Sequence, residues 1–518
     1  MTRYLRVKLN LGTIRWLVAI LFSGLFINSY VTAEAATLTL QVNDENGQPL
    51  PCRIHFLDKD HKLHRPEGLP FFQDHFVCPG RAVLKLPTGK YTFEIERGPE
   101  YERIDGEIEL ANNERREVKL ALKRIADLTA KGWYVGELHV HRLVEEVPLL
   151  MQAEDLHVAP VITWWNHRNL WKDRTIPKQL LNHFDSKRFY HVMGGEDERN
   201  GGALLFFHLK KPLAITGSSR EYPSPMKFVA AARRRENIWI DIEKPFWWDV
   251  PVWLASGQVD SIGLANNHMC RSSMYENEAW GRPRDTKRLP APLGNGYWTQ
   301  EIYYHILNSG LRIPPSAGSA SGVLPNPVGY NRVYVHTGVN FTYESWWDGL
   351  KAGRSFVTNG PLLICKSNNE LPGHVFKADE GGEVEIRLNA SLVTEDKISA
   401  LEIVRNGVVR RVPISGKGDL GDFGTLNFRK SGWFLVRAIA ENPRTFRFAS
   451  TAPFYVEVGE TKRRISKQST RFFLDWVDER IARVKKSVKD ADQRQEVLTH
   501  HQSAREYWKT RLQRANAE

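Results

Sequence analysis

Leu38, Leu40 and Val42 alternate with polar residues, and an Asn46-Gly47-Gln48-Pro49 turn follows. The same strand–turn–strand pattern recurs in Val83-Leu84-Lys85-Leu86, Pro87-Thr88-Gly89 and Tyr91-Thr92-Phe93-Glu94-Ile95. Ile108 and Leu110, then Val118, Leu120 and Leu122, add two more alternating runs. A period of two marks strands with one buried face, so residues 36–125 predict a small β-sandwich.

From residue 130 the pattern changes. Continuous apolar runs end in polar clusters at 135–141, 158–166, 190–196, 204–208, 238–243, 262–268 and 313–319. Helix-like stretches at 226–236 and 300–309 lie between some of them. Strands buried on both faces and alternating with helices predict βα units around a mostly parallel sheet. Seven such runs over 130–360 predict an α/β barrel, whose C-terminal strand ends carry the site. Alternation returns over 361–460, as in Val384-Glu385-Ile386-Arg387-Leu388, and predicts a second β-sandwich. Over 461–518, Phe473, Trp476, Val477, Arg480, Ile481, Val484 and Val488 keep helical spacing, and a second helix is predicted over 494–514.

The 518 residues are 42% hydrophobic and 25% charged, which excludes wholesale disorder, collagen and a multispanning membrane protein. The net charge of +12 is unevenly placed. Residues 1–35 hold four basic and one acidic residue, and the tail from Thr461 holds 15 basic and eight acidic. The body between is nearly neutral, so the basicity is no nucleic-acid footprint and no nucleic-acid partner is expected. The tail is either a contact for an anionic surface or a solvated helix pair.

Arg3, Arg6, Lys8 and Arg15, an apolar stretch over 16–27, and Ala33-Glu34-Ala35 read as a secretory leader over residues 1–35. The expectation is an exported protein, periplasmic, extracellular or anchored by an uncleaved leader. Cys52 and Cys78 close a loop of about 27 residues, either bridged for roughly 3 kcal/mol or left as two buried thiols.

The sharpest chemical signal is Gly136-Glu137-Leu138-His139-Val140-His141. In a strand, residues i and i+2 point the same way, so two imidazoles at this spacing reach one metal-sized point. Twelve of the 16 tryptophans fall between Trp133 and Trp347, beside the predicted strand ends, where they either stack on a glycan-like ligand or pack a barrel rim. No nucleophile elbow, Walker A loop or dinucleotide fingerprint is present.

Residues 42–54 resemble carboxypeptidase regulatory-like domains. Residues 132–141, with Gly195-Glu196-Asp197 and Gly318-Ser319-Ala320-Ser321-Gly322 in the same order, resemble the PHP (polymerase and histidinol phosphatase) superfamily, and within it the CehA/McbA-type metallohydrolases. The resemblance implies a distorted seven-stranded βα barrel that binds divalent metal and hydrolyses phosphoesters or related ester and carbamate bonds. Several family ligands are replaced here. Thr163-Trp164-Trp165-Asn166 stands for Thr-Asp-His-Asn, with His167 two positions beyond the expected histidine; Glu243-Lys244-Pro245 stands for His-Pro; the closing Asp and His are Ala320 and Gly322.

The expected remainder is one Zn, Mn or Fe ion on His139, His141, Glu196 and His268. Glu243 or Asp197 would serve as general base, and Lys244 or Arg199 would stabilise a developing anion. The expected function is hydrolysis of a small-molecule or glycan-like substrate by a metal-activated water. The alternative is a decayed barrel that binds extracellular glycans.

Overall fold

The computed structural model describes residues 35–518. All of the expected leader but Ala35 lies outside them. Among the described residues, no helix is long and apolar enough to cross a membrane.

Ala36–Asn43 is the middle strand of a three-stranded sheet, antiparallel to Arg81–Leu86 and parallel to Arg115–Ala121. Its residues alternate between buried and half-buried along its whole length. A five-stranded sheet runs in the order Phe71–Phe72, His75–Cys78, Cys52–Asp58, Gly89–Glu96, Ile104–Leu110. The two sheets share one core, with Leu38, Leu40 and Leu84 from the first and Ile54, Phe56 and Ile95 from the second. Arg53, on the second sheet, pairs with Glu154 at 2.7 Å, and Arg97 and Arg124 both pair with Asp155. Buried ion pairs therefore fix the N-terminal sheets to the central region.

The α/β barrel expected over 130–360 is not what the chain forms. Strands hold 37% of the residues and helices 20%, in several sheets. The central sheet is mixed. Val158–Trp165 is parallel to Arg188–Arg199, and Ser261–Ala265 is parallel to Trp239–Ile242 and Pro315–Ala317. Arg188–Arg199, Gly202–Phe207 and Trp239–Ile242 are instead successive antiparallel neighbours. The cause is local. Asn200 and Gly201 make a two-residue turn in place of a crossover helix, and Gly202, which opens the next strand, has φ +117°, which favours glycine. Ser355–Thr358 then pairs with Phe448–Thr451, so the central ladder continues into the C-terminal strands.

Leu362–Ser367, Val384–Val393 and Gly418–Phe428 form a separate three-stranded sheet. Its Leu363, Ile386 and Phe428 share a core with Leu401, Phe434 and Phe454 of the strands that join the central ladder. Helices Lys467–Ser487 and Ala491–Gln513 lie against the central helices Val250–Ser256 and Gly294–Asn308. Trp476 and Trp508 are buried there, Trp508 Nε1 donates to the Pro251 carbonyl at 2.9 Å, and Arg480 pairs with Asp249 at 2.7 Å.

Candidate metal centre

Residues 138–141 follow strand Trp133–Gly136 and are held from both sides. Ile162 N donates to Val140 O at 2.8 Å on one side; Leu138 N donates to Ala317 O at 2.9 Å and His141 N to Ser321 O at 2.8 Å on the other. Glu137, fully buried, accepts from the backbone N–H groups of Ser319 and Gly329 and so ties the glycine-rich segment to this strand. Small residues in that segment allow the approach: a Cβ at Gly318 would collide with His139 Cβ, and one at Gly322 would lie 2.6 Å from His141 O.

His139 and His141 share a face, with their Nε2 atoms 3.0 Å apart. Glu196, from strand Arg188–Arg199, places Oε2 3.1 Å from His141 Nε2 and Oε1 3.5 Å from His139 Nε2. These three side chains gather their ligand atoms within 4.8 Å of one another and can hold a metal ion. Two ligands on one zinc-like ion at about 2.0–2.1 Å stand about 3.0–3.4 Å apart, which matches the nitrogen pair. Three protein ligands leave a coordination position open, as catalytic sites do.

Behind the ring of His139 stands Glu243, its Oε1 3.4 Å from Nδ1. A neutral His139 therefore carries its proton on Nδ1 and turns the Nε2 lone pair toward Glu196 and His141. Burial disfavours a charged His139, but Glu196 and Glu243 outweigh it and raise the ring to about 10. Burial likewise opposes ionisation of Glu196, yet both histidines hold it well below the usual carboxylate range. Burial, helped by the charge of neighbouring His139, pushes His141 down against the pull of Glu196.

The other expected site residues divide. Lys244 Nζ lies 2.5 and 2.6 Å from the two Glu243 oxygens and 4.5 Å from the Trp247 ring centroid, so the pair is a buried ion pair behind His139. Glu243 and Lys244 thus satisfy each other's charge beside the Nδ1 edge of His139. Asp197 sits on the opposite face of its strand from Glu196, because neighbours alternate. It is buried, forms a two-pronged pair with Arg199 at 2.7 Å, and accepts from Asn166 Nδ2. Neither Asp197 nor Arg199 joins the group. His268 also stays outside it: Nδ1 meets the Asn277 carbonyl at 3.0 Å, the ring lies against Phe246 and Tyr275, and burial with nearby Lys244 lowers it to about 3. His167 is exposed, and His208 meets the Tyr343 hydroxyl at 3.0 Å.

Glu198 was not among the expected residues. It lies two positions from Glu196 on the same strand face and forms no ion pair among the described residues. Burial raises its carboxyl to about 7, and the charges acting on it are those of Glu196, Lys244, Glu243 and His139. The i, i+2 rule that joins the two histidines is the signal that would have found it.

The tryptophans beside the strand ends divide: Trp165 is half-buried with its ring centroid 5.1 Å from that of His141, and the others serve packing. Trp164, Trp247, Trp248, Trp346 and Trp347 are all buried in the main core. A second gathering, His55 with Asp74 and His75, fits an ion poorly. Arg53 Nη1 lies 2.9 Å from His55 Nε2, which must accept; the ring proton is then on Nδ1 facing Asp74, with no lone pair left there.

No family model matches the chain, and no curated protein matches it. Among solved structures, the chain is similar to 3-chlorocatechol 1,2-dioxygenase from Rhodococcus opacus 1CP at 10% identity and TM-score 0.14, over 18% of this chain and 61% of that one. It is similar to a streptococcal ancillary pilin at 13% identity and TM-score 0.15, over 21% and 38%. It is also similar to the Bacillus anthracis TIE protein at 8% identity and TM-score 0.14, over 83% and 51%. The chain thus spans 38% to 61% of the length of these structures.

Proposed function

We propose that this chain is a metal-dependent hydrolase of ester or phosphoester bonds, with one Zn, Mn or Fe ion on His139, His141 and Glu196. The observation that carries the reading is the buried convergence of two Nε2 atoms and a carboxylate, backed by a carboxylate on the far nitrogen of one ring. A divalent ion in such a site supplies Lewis acidity and a water whose pKa falls toward about 7. The remaining chemistry belongs to the chain. Glu243 fixes the tautomer and direction of His139, and Lys244 balances the charge that Glu243 buries. Glu198, the carboxyl left without an ion pair, takes the proton of the attacking water and returns it to the leaving oxygen. The order of His139-x-His141 and Gly195-Glu196 supports the resemblance to PHP-superfamily metallohydrolases at the level of ligands. The basic and apolar leader supports export.

The test is turnover of aryl ester and aryl phosphodiester substrates by metal-depleted protein before and after adding Zn or Mn. The reading expects activity to return with metal, to be lost in Glu196→Gln, and to fall in Glu198→Gln without loss of bound metal. Metal-independent turnover, or none with any added metal, would overturn it.

A further inference from the structure

A cavity of about 500 Å³ opens between the helix Lys467–Ser487 and the turn that follows strand Arg188–Arg199. Its lining includes Trp248, Trp280, Arg483, Lys486 and Lys489. We propose that this cavity binds an anionic saccharide, one whose sugar rings carry sulfate or carboxylate groups. This inference is independent of the metal centre.

The charge balance comes first. The single lining carboxylate, Glu221, is already neutralised by Arg480 Nη2 at 2.7 Å and accepts from Ser487 Oγ at 3.0 Å. Arg483, Lys486 and Lys489 form no ion pair among the described residues. Three uncompensated cations around one concavity repel each other, and an anionic ligand relieves that repulsion.

The arginines are held in a geometry suited to oxyanions. Arg483 Cζ lies 4.2 Å from the Trp248 ring centroid, and Arg220 Cζ, outside the lining itself, lies 4.9 Å from the centroid of the lining Trp280. A guanidinium stacked on an indole is desolvated on its face, while its N–H edge stays free for paired hydrogen bonds to sulfate or carboxylate oxygens. Arg220 is itself aligned by Nε donating to Asn200 Oδ1 at 3.0 Å.

Shape and aromatics select the saccharide. The volume suits about two sugar rings, and a concave pocket does not fit a flat lipid surface. Trp280 is 39% exposed; Trp247 stacks on its ring and Arg220 lies over it, so its free edge is the aromatic surface offered to a sugar. A single-stranded nucleic acid needs a series of stacking platforms along a groove, and the other tryptophan of the pocket is buried beneath Arg483. The pocket also adjoins the metal-bearing strand: Trp280 Nε1 donates to the Arg199 carbonyl at 2.8 Å.

The experiment is calorimetric titration of the full chain with a sulfated tetrasaccharide, its desulfated and uncharged counterpart, inorganic sulfate, and a single-stranded oligonucleotide. The sulfated sugar is expected to bind, more weakly as salt rises, and the uncharged sugar is not. The triple variant Arg483→Met, Lys486→Ala, Lys489→Ala removes the three charges but leaves an apolar side chain over Trp248, and should keep its melting temperature while affinity drops about tenfold or more. Trp280→Ala should weaken the saccharide but not inorganic sulfate. Equal binding by the triple variant, equal binding of the uncharged sugar, or tighter binding of the oligonucleotide would overturn the proposal.

Discussion

Gly322→Ala tests how the glycine-rich segment sets the position of His141. The native φ is +100°, a backbone conformation that costs a side-chain-bearing residue about 1–3 kcal/mol. The added Cβ would lie 2.6 Å from His141 O, 2.8 Å from its carbonyl carbon and 3.1 Å from its Cβ, all rigid neighbours rather than the end of a flexible chain. Overpacking of this kind costs about 1–3 kcal/mol, so the expected loss is roughly 2–6 kcal/mol. Relief requires His141 to shift by several tenths of an ångström, while metal–ligand distances tolerate only about 0.2 Å. Metal affinity should therefore fall about 10–100-fold, the range seen when support behind a ligand is disturbed. The assay is urea denaturation of metal-free protein, paired with zinc competition against a chromophoric chelator. Gly318→Ala is the companion: its φ is not positive, so its effect is steric alone, through His139 Cβ. A Gly322→Ala protein with stability within about 0.5 kcal/mol of wild type and unchanged zinc affinity would refute the reasoning.

Three further outcomes follow from the same structure. Glu243→Gln should lower zinc affinity about 10–100-fold and, by stranding buried Lys244, cost about 3–5 kcal/mol; adding Lys244→Met should restore stability but not affinity, and recovery of both would contradict the positioning role. Asp241 is fully enclosed, and burial raises it to about 7 although Ser261 and Ser316 donate to it at 2.5 Å. A carboxyl raised this way contributes stability below about pH 4 that is lost as pH climbs through 7, on the order of 4 kcal/mol, so Asp241→Asn should match wild type in acid and exceed it at pH 8, and a pH-independent difference in melting temperature would count against this. Cys52 and Cys78 are free thiols paired across neighbouring strands with sulfurs 3.6 Å apart; mild oxidation should bridge them, stabilise by about 3 kcal/mol and leave two of the four thiols titratable after denaturation, whereas four remaining thiols would contradict the pairing.

The parts of the chain that could be read in advance are those governed by short-range periodicity. Ala36–Asn43 buries every second residue as its alternation dictates, and His-x-His places two rings on one side of a strand. The same parity rule separates Glu196 from Asp197 and joins Glu196 to Glu198, and it turns Asp197 away from the group and onto Arg199. What could not be read is direction and distance. An apolar run buried on both faces looks alike in a parallel and an antiparallel neighbour, so 190–196 and 204–208 read as βα units although a glycine turn joins them as a hairpin. Glu243 and Lys244 read either as a general base and an anion stabiliser or as a plain ion pair, and it is the ion pair, beside His139, that forms. His268 follows a correctly read strand, but the loop beyond it turns Nδ1 toward Asn277.

The central claim is that His139, His141 and Glu196 hold one divalent ion. Elemental analysis of metal-depleted protein dialysed against excess zinc and then metal-free buffer tests it most directly, with His139→Ala, His141→Ala carried through in parallel. About one zinc per chain is expected in the wild type and almost none in the double variant. Equal zinc in both proteins would contradict it.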